Sequence, residues 1–123
     1  MRAKACYLAC QGMEYDREFL TGTVGMLILS LLAERAMYAY EMLQEAEKRS
    51  DGTFRLKEGT IYPALHQMER DGLLHATWRQ SAEGRPRKYY ALTPKGRRQA
   101  QSKRRQWDSL LAAMRAILGD ARA

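Results

Sequence analysis

Apolar residues recur at helical spacing in three segments of the first two-thirds of the chain. The first segment, about 22–34, is apolar nearly all round, which is typical of a helix at the centre of a core. The second segment, about 38–49, has one apolar side and one charged side. The third begins near 58–60 and ends before Gly72, because glycine suits the left-handed position after a helix. Pro63 is expected in the first turn of this third helix, where its missing N–H costs little.

Two extended runs follow the third helix. Apolar and polar residues alternate over 74–79, and a second run covers Arg87–Leu92, with a flexible turn between them. The alternation predicts that Trp78 lies in the core. Of Tyr89 and Tyr90, one is expected to be buried and the other partly exposed, because neighbours in a strand face opposite sides. The pattern predicts a β-hairpin with a basic tip and a basic return strand.

A long final helix is predicted over 94–119. Thr93 is a suitable N-cap, Pro94 fits the first helical position, and Gly119 ends the segment. The first half of this helix is polar and basic, and the second half carries an apolar stripe that consists of Trp107, Leu110, Leu111, Met114, Ile117 and Leu118. Such spacing suits packing against another helix. Because the helix projects beyond a small core, a symmetric partner is the simplest way to bury the stripe, and a homodimer is expected.

The first twenty residues show no clear period. We treat 1–20 as an N-terminal extension, with residues 1–12 loose and a short helix possible over Tyr15–Leu20. Cys6 and Cys10 are four residues apart and could share one helix face, but no His or further Cys lies nearby to complete a metal site. The domain organisation expected is therefore an extension, a main domain over 21–93 and the final helix.

Charge narrows the range of partners. The chain of 123 residues carries a formal net charge of +7, and nine Lys or Arg residues with no Asp or Glu stand between Arg85 and Arg105. Nucleic acid, anionic lipid and acidic proteins are all candidate partners. The longest apolar run, Met26 to Ala33, is too short to span a bilayer, and two cysteines give no disulfide framework, so a cytoplasmic protein without a membrane segment is expected.

No constellation of catalytic residues is present in the sequence. There is no glycine-rich phosphate loop, and no Ser or Cys nucleophile stands with a matching His and acid. We therefore expect neither an enzyme nor a cofactor or metal site.

Three helices followed by a basic hairpin are the arrangement of a winged helix-turn-helix, so the fold class expected is mainly α. The outward residues of the third helix are suited to the major groove of DNA, and they are Lys57, Thr60, Tyr62, His66, Gln67 and Arg70. The hairpin, or wing, would supply Arg85, Arg87 and Lys88, which have no acidic neighbours in sequence, as phosphate contacts.

Two motifs resemble one known family. Residues 58–65 (EGTIYPAL) and 84–96 (GRPRKYYALTPKG), with Leu73-Leu74 between them, look like the PadR family of bacterial transcriptional regulators, and the short single C-terminal helix looks like its smaller subfamily. The resemblance covers roughly residues 18–118. It departs from the family at Tyr38-Ala39-Tyr40, where His-Gly-Tyr is frequent, and the first twelve residues match nothing in the family.

The resemblance implies a homodimeric repressor that binds a pseudo-palindromic operator in double-stranded DNA. It places Lys57, Thr60 and Tyr62 at the DNA and the stretch 85–88 in the wing. The C-terminal helix, including Trp107, would line the dimer interface, which in some relatives forms a pocket for planar drugs or phenolic acids. A small aromatic or drug-like effector would then release the repressor.

Several alternatives stay open from the sequence. Tyr62 either contacts DNA or packs against the wing, and His66 either reads a base or bonds to the backbone. Trp107 either stacks on an effector or only packs. The same surface could also serve a protein–protein adaptor, since fold does not decide function, or the chain could be a ligand-binding dimer whose pocket matters more than its DNA.

Overall fold

The computed structural model describes the strands Ala5–Cys10 and Met13–Asp16 by their backbone, and residues 22–119 with their side chains. The described part contains four helices: α1 (Thr23–Leu32), α2 (Ala39–Arg49), α3 (Glu58–Arg70) and α4 (Pro94–Leu118). Its strands are β1 (Ala5–Cys10), β2 (Met13–Asp16), β3 (Met37–Tyr38), β4 (Leu74–Gln80) and β5 (Pro86–Leu92). None of the described helices is both long and apolar enough to cross a membrane.

The core is built around α1, as its uniformly apolar sequence predicts. Its buried residues are Ile28, Leu29, Leu31 and Leu32. Against them pack the inward side of α3, with Ile61 and Leu65 at 1% and 0% exposure, and the buried ring of Tyr90 from β5. Burial of this apolar surface is the main term that stabilises the domain.

A three-stranded antiparallel sheet closes one side of the core, in the order β3-β5-β4. The β4–β5 hairpin is the predicted wing, and its register pairs Leu74 with Leu92 and Trp78 with Lys88. The two-residue strand β3 was not predicted; it pairs Met37 with Tyr90. The mainly α winged helix-turn-helix fold expected from the sequence is confirmed.

The third helix ends as the sequence predicts. The N–H of Leu73 donates to the carbonyl oxygen of Met68 at 2.9 Å, and the N–H of Gly72 donates to that of Glu69 at 3.1 Å, while Gly72 has a φ of 80°. This is the Schellman arrangement, in which a left-handed residue satisfies the last carbonyls of a helix.

The expected position of Pro63 was wrong. The helix begins at Glu58, so Pro63 is its sixth residue and lies in the second turn. The carbonyl of Gly59 consequently has no intrahelical donor four residues later. Both residues are exposed, so water can satisfy that oxygen and the helix tolerates the proline.

The final helix is capped and seated at its first turn. The Thr93 hydroxyl accepts from the N–H of Gly96 at 3.0 Å and donates to the carbonyl of Gly72 at 2.6 Å. The N–H of Thr93 also donates to the carbonyl of Leu73 at 3.0 Å. A Cβ on Gly96 would lie 2.0 Å from that Leu73 oxygen, so only glycine fits against the end of the α3 segment.

The N-terminal segment differs from its prediction. β1 and β2 pair antiparallel, with Cys10 opposite Met13, so Ala5–Cys10 is a paired strand. Cys6 and Cys10 lie in a strand and not on a helix face. Tyr15 and Asp16 are also in a strand, so the suggested helix over Tyr15–Leu20 was wrong there; its remaining residues lie outside the described part.

Candidate nucleic-acid interface

The outer face of α3, opposite its buried side, is a continuous exposed surface. It comprises Gly59, Tyr62, Pro63, His66, Gln67 and Arg70. The ring centroids of Tyr62 and His66 lie 6.2 Å apart, and Tyr62 is 40% exposed, so both rings are open to a partner. Gly59 and Pro63 were missed as members of this face because they offer no side-chain donor; their helical spacing with His66 was the available signal.

The two ends of α3 differ in what they offer. Lys57 is the exposed N-cap residue, whereas Thr60 is only partly exposed and its Oγ1 is buried without a hydrogen-bond partner among the described residues. The Thr60 hydroxyl is therefore not on the outer surface expected for it. At the other end, Arg70 donates to Gln67 at 2.7 Å, and Gln67 donates to Asp71 at 2.9 Å. These exposed bonds are easily exchanged for bonds to a ligand.

The tip of the wing carries one exposed cation. Arg85 follows Gly84, whose φ of 91° requires a residue without a Cβ penalty. The N–H of Ser81 donates to the carbonyl of Arg85 at 2.9 Å, which closes the turn. Arg85 is thus presented to solvent at a defined position.

The other two predicted wing cations lie on the return strand and are partly buried. Lys88 has no acidic neighbour in sequence, but in the structure its Nζ lies 3.8 Å from Glu69 Oε1 of α3. Since about a third of each side chain is exposed, this pair contributes little and is easily exchanged. The guanidinium of Arg87 lies 4.8 Å from the ring centroid of Tyr38, a cation–π contact that restricts its motion.

Sequence reasoning did not find the aromatic and cationic row on one face of the sheet. Arg79 lies 4.0 Å from the ring centroid of Tyr89, and Tyr89 meets Tyr38 edge-to-face at 5.3 Å. With Arg87 over Tyr38, the row consists of two adjacent rings with a cation at each end. The strand register would have indicated this row, because it pairs Arg79 with Arg87 across β4 and β5. Burial and the nearby carboxylates of glutamates raise the pKa of Tyr38, so its ring is a neutral phenol at physiological pH.

Tyr89 and Tyr90 divide as predicted, because Tyr90 is 1% exposed and Tyr89 is partly exposed. Trp78 does not follow its prediction, because it is 70% exposed. It shares a strand face with buried Leu74, but β4 continues past the end of the core. The alternation in the sequence correctly predicted which face of the strand Trp78 lies on. It could not predict how far along the strand the helices cover that face.

A groove of about 510 Å³ separates α3 from the wing. We call it the wing groove; its walls include Tyr62 and His66 from α3, Trp78 and Lys88 from the wing, and Tyr40 from the start of α2. The sequence-predicted residues Tyr62, His66 and Lys88 therefore meet at one surface. Glu58 also lines the wing groove and contributes a carboxylate to its wall.

A second groove, of about 400 Å³, lies between α1 and α4. Met26, Leu29, Trp107 and Leu110 line it, so the structure brings the start of the predicted stripe beside the core. The remaining stripe residues lie on the projecting half of α4, where they are at least 42% exposed, and they are Leu111, Met114, Ile117 and Leu118. An apolar surface of this kind marks an association site in soluble proteins.

Comparisons with known sequences agree with this fold. A sequence profile described as the transcriptional regulator PadR-like family matches residues 28–102. Transcriptional regulator Rv3488 of Mycobacterium tuberculosis is 35% identical over 103 residues, which cover 84% of this chain and 90% of that protein. Uncharacterized protein X of Lysinibacillus sphaericus is 31% identical over 80 residues, or 65% of this chain and 73% of that protein.

Solved structures are similar over most of the chain. A PadR-like transcriptional regulator from Bacillus cereus has a TM-score of 0.74 at 28% identity, over 84% of this chain and 98% of that one. A PadR family transcription regulator from Clostridium difficile has a TM-score of 0.68 at 36% identity, over 80% of this chain and 100% of that one.

Proposed function

This chain belongs to the PadR-like family of transcriptional regulators, and we propose that it is a sequence-specific, homodimeric repressor that a small aromatic effector releases from its operator. Its relatives make it a DNA-binding transcription regulator and not an enzyme. The proposal adds four points: specificity for an operator sequence, a homodimeric state, repression as the direction of regulation, and release by a small aromatic effector.

The observation that carries the proposal is the shared surface of α3 and the wing. The exposed rings of Tyr62 and His66 and two wing cations, Arg87 and Lys88, border one groove, and an α-helix of this width fits the major groove of DNA. The outer face of α3 supplies groups for base edges, while Arg85 at the tip and Arg87 and Lys88 on the return strand suit phosphate. Phosphate contacts fix orientation and base contacts give specificity.

The second half of α4 supports the homodimer. Its exposed stripe reaches 78% exposure at Ile117 and 74% at Leu118, which is costly for a monomer in water. A second copy of α4 would cover the stripe in a symmetric interface. Two α3 helices would then be held at a fixed separation, which a pseudo-palindromic operator with half-sites about one helical turn apart requires.

The groove between α1 and α4 supports the effector. Trp107 lies in its wall beside apolar side chains, and indole stacks well on flat aromatic molecules. A ligand bound there would favour one separation of the two α3 helices over another, and it can release DNA only by differential affinity for the two arrangements.

Fluorescence anisotropy with DNA from upstream of the gene for this protein tests the proposal. We expect nanomolar binding to this duplex, much weaker binding to a scrambled duplex and a steep dependence on salt concentration. Replacement of Arg85, Arg87 and Lys88 by alanine should weaken binding to both duplexes and reduce the slope of log K against log salt by about 0.9 for each lost phosphate contact.

The matched control removes the same number of charges from another surface. Arg97, Arg98 and Arg105 are exposed on α4, so their replacement by alanine lowers the net charge equally without touching the wing. We expect a much smaller loss of affinity and an almost unchanged salt slope. DNA affinity that the wing variant leaves unchanged would contradict the proposal and favour a protein–protein adaptor.

Effector binding is tested by titration of Trp107 fluorescence in a Trp78→Phe variant, which leaves one tryptophan. Planar aromatic compounds that quench this emission should also release the operator duplex in the anisotropy assay. Operator binding that no compound in a broad screen changes at saturation would contradict release by an effector.

A further inference from the structure

We propose that Trp78 and Lys88 form a binding site for the DNA sugar–phosphate backbone inside the wing groove, a contact that strengthens binding to every duplex without reading sequence. The inference rests on the proposed DNA-binding function and identifies a contact residue that lies outside α3 and the wing tip.

The exposure of Trp78 is the first observation. Leu74, on the same strand face, is 2% exposed, but Trp78 is 70% exposed. The fold therefore does not use the indole for packing, and it leaves a large apolar surface in water. Tryptophans of this kind are enriched where proteins bind partners, because the ring is rigid and its N–H can donate.

The position of Trp78 is the second observation. Its cross-strand partner is Lys88, on the adjacent strand, and both side chains line the wing groove with Tyr62 of α3. When α3 enters a major groove, the wing stands beside it. The DNA strand that borders the major groove must then pass between α3 and the wing, along the surface that carries Trp78.

The charge of the wing groove selects its occupant. Lys88 and Arg87 contribute two cations, against one carboxylate from Glu58. The pairing of Lys88 with Glu69 is long, at 3.8 Å, and partly exposed, so a phosphate can replace it at small cost. Deoxyribose offers an apolar edge for the indole ring, and the phosphate accepts from the indole N–H and from Lys88.

The shape of the groove also favours a polymer. It is open to solvent, and its walls come from α2, α3 and both wing strands. A backbone needs an open trough of this kind, which it can enter and leave. A backbone contact of this kind carries no base information, because every nucleotide presents the same sugar and phosphate.

The test uses fluorescence of Trp78 in a Trp107→Phe variant, titrated with the operator duplex and the scrambled duplex. We expect the emission of Trp78 to change on binding either one. Trp78→Ala should reduce the affinity for both duplexes by about tenfold, which is typical for the loss of a hydrogen bond to a charged group, and should leave their affinity ratio unchanged. Trp78→Phe, which keeps an aromatic ring but loses the N–H, should fall between Trp78→Ala and the wild type.

His75→Ala is the matched control, because His75 is exposed on the opposite face of the same strand; it should leave both affinities unchanged. Melting temperatures of the variants should agree with the wild type, since Trp78 packs little. If the wild type binds the operator but Trp78→Ala has no effect, or if the affinity ratio changes, the inference is wrong and the proposed function stands. Absence of operator binding by the wild type would instead overturn the proposed function. Emission that depends on protein concentration and not on DNA would assign Trp78 to an interface between copies.

Discussion

The first turn of α4 provides a sharp test of how the long helix is attached to the core. In a Gly96→Ala variant, the new Cβ would lie 2.0 Å from the carbonyl oxygen of Leu73, and real Cβ atoms essentially never come closer than 3.0 Å. The atoms that the new Cβ meets belong to the Leu73 backbone and not to a flexible side chain, so α4 and the Leu73 backbone must separate by about 1 Å. The bonds from Thr93 to Leu73 and Gly72, and the bond from Lys95 to the Asp71 carbonyl, all cross this junction.

The expected cost follows from these contacts. Overpacking of this kind costs about 1–3 kcal/mol, and a weakened N-cap at Thr93 adds about 1 kcal/mol. The lower entropy of the unfolded alanine chain offsets about 0.5–1 kcal/mol. We therefore expect the free energy of unfolding to fall by about 1–3.5 kcal/mol, and the melting temperature to fall by roughly 5–15 °C.

Urea and thermal unfolding of the variant, without DNA, measure this cost. Gly59→Ala is the matched control, because Gly59 is also helical and a Cβ there meets nothing within 4 Å. It should be neutral or more stable than the wild type, by up to about 1 kcal/mol. A Gly96→Ala variant as stable as Gly59→Ala would refute the argument that the junction admits only glycine.

Three further predictions concern other parts of the molecule. The two hydrogen bonds from Arg49 lower the pKa of Glu34, so their stabilisation is present at neutral pH and is lost as the pH falls through that lowered pKa. Glu34→Gln should therefore be less stable than the wild type at pH 7 and should lose less stability on acidification. Equal losses of stability by the variant and the wild type between pH 7 and pH 3, measured by urea unfolding, would contradict this. Leu65 is 0% exposed, so Leu65→Ala should lower the free energy of unfolding by about 2–5 kcal/mol; a smaller loss in urea denaturation would mean that α3 is not anchored as described. If the proposed homodimer forms through α4, the wild type should sediment as a dimer and the double variant Leu110→Glu and Met114→Glu as a folded monomer, with the polar-face change Gln101→Glu as the control. A wild type that is monomeric at tens of micromolar would refute the proposed interface.

Local signals explain what the sequence predicted well. The buried side of α3, the end at Gly72 and the cap at Thr93 depend on residues within one or two helical turns of each other, so their pattern is complete in the sequence. The wing was also predictable, because the alternation around Tyr90 continues over a full strand. The outer positions of Tyr62, His66 and Arg70 on α3 were also predictable, since one buried side of a helix defines the opposite one.

Several of the errors concern features that depend on distant parts of the chain. The exposure of Trp78 depends on where the helices end, and not on its own alternation. The strand Met37–Tyr38 has two residues and exists only because β5 lies beside it. The ion pair between Lys88 and Glu69 joins the wing to α3, so a run of basic residues in the sequence could not reveal it.

One continuous helix joins the packed first turn of α4 to the exposed stripe, and this restricts how the length of the chain can vary. One residue inserted between Ala100 and Trp107 would rotate the stripe by about 100° around the helix axis relative to the core. An insertion of about seven residues would restore its direction to within about 20°, although it would move the stripe about 10 Å outward. Viable insertions and deletions in this part of α4 should therefore be close to a whole number of helical turns, such as about 7, 11 or 18 residues, and each length would set a different distance between the two DNA-binding domains of the proposed dimer.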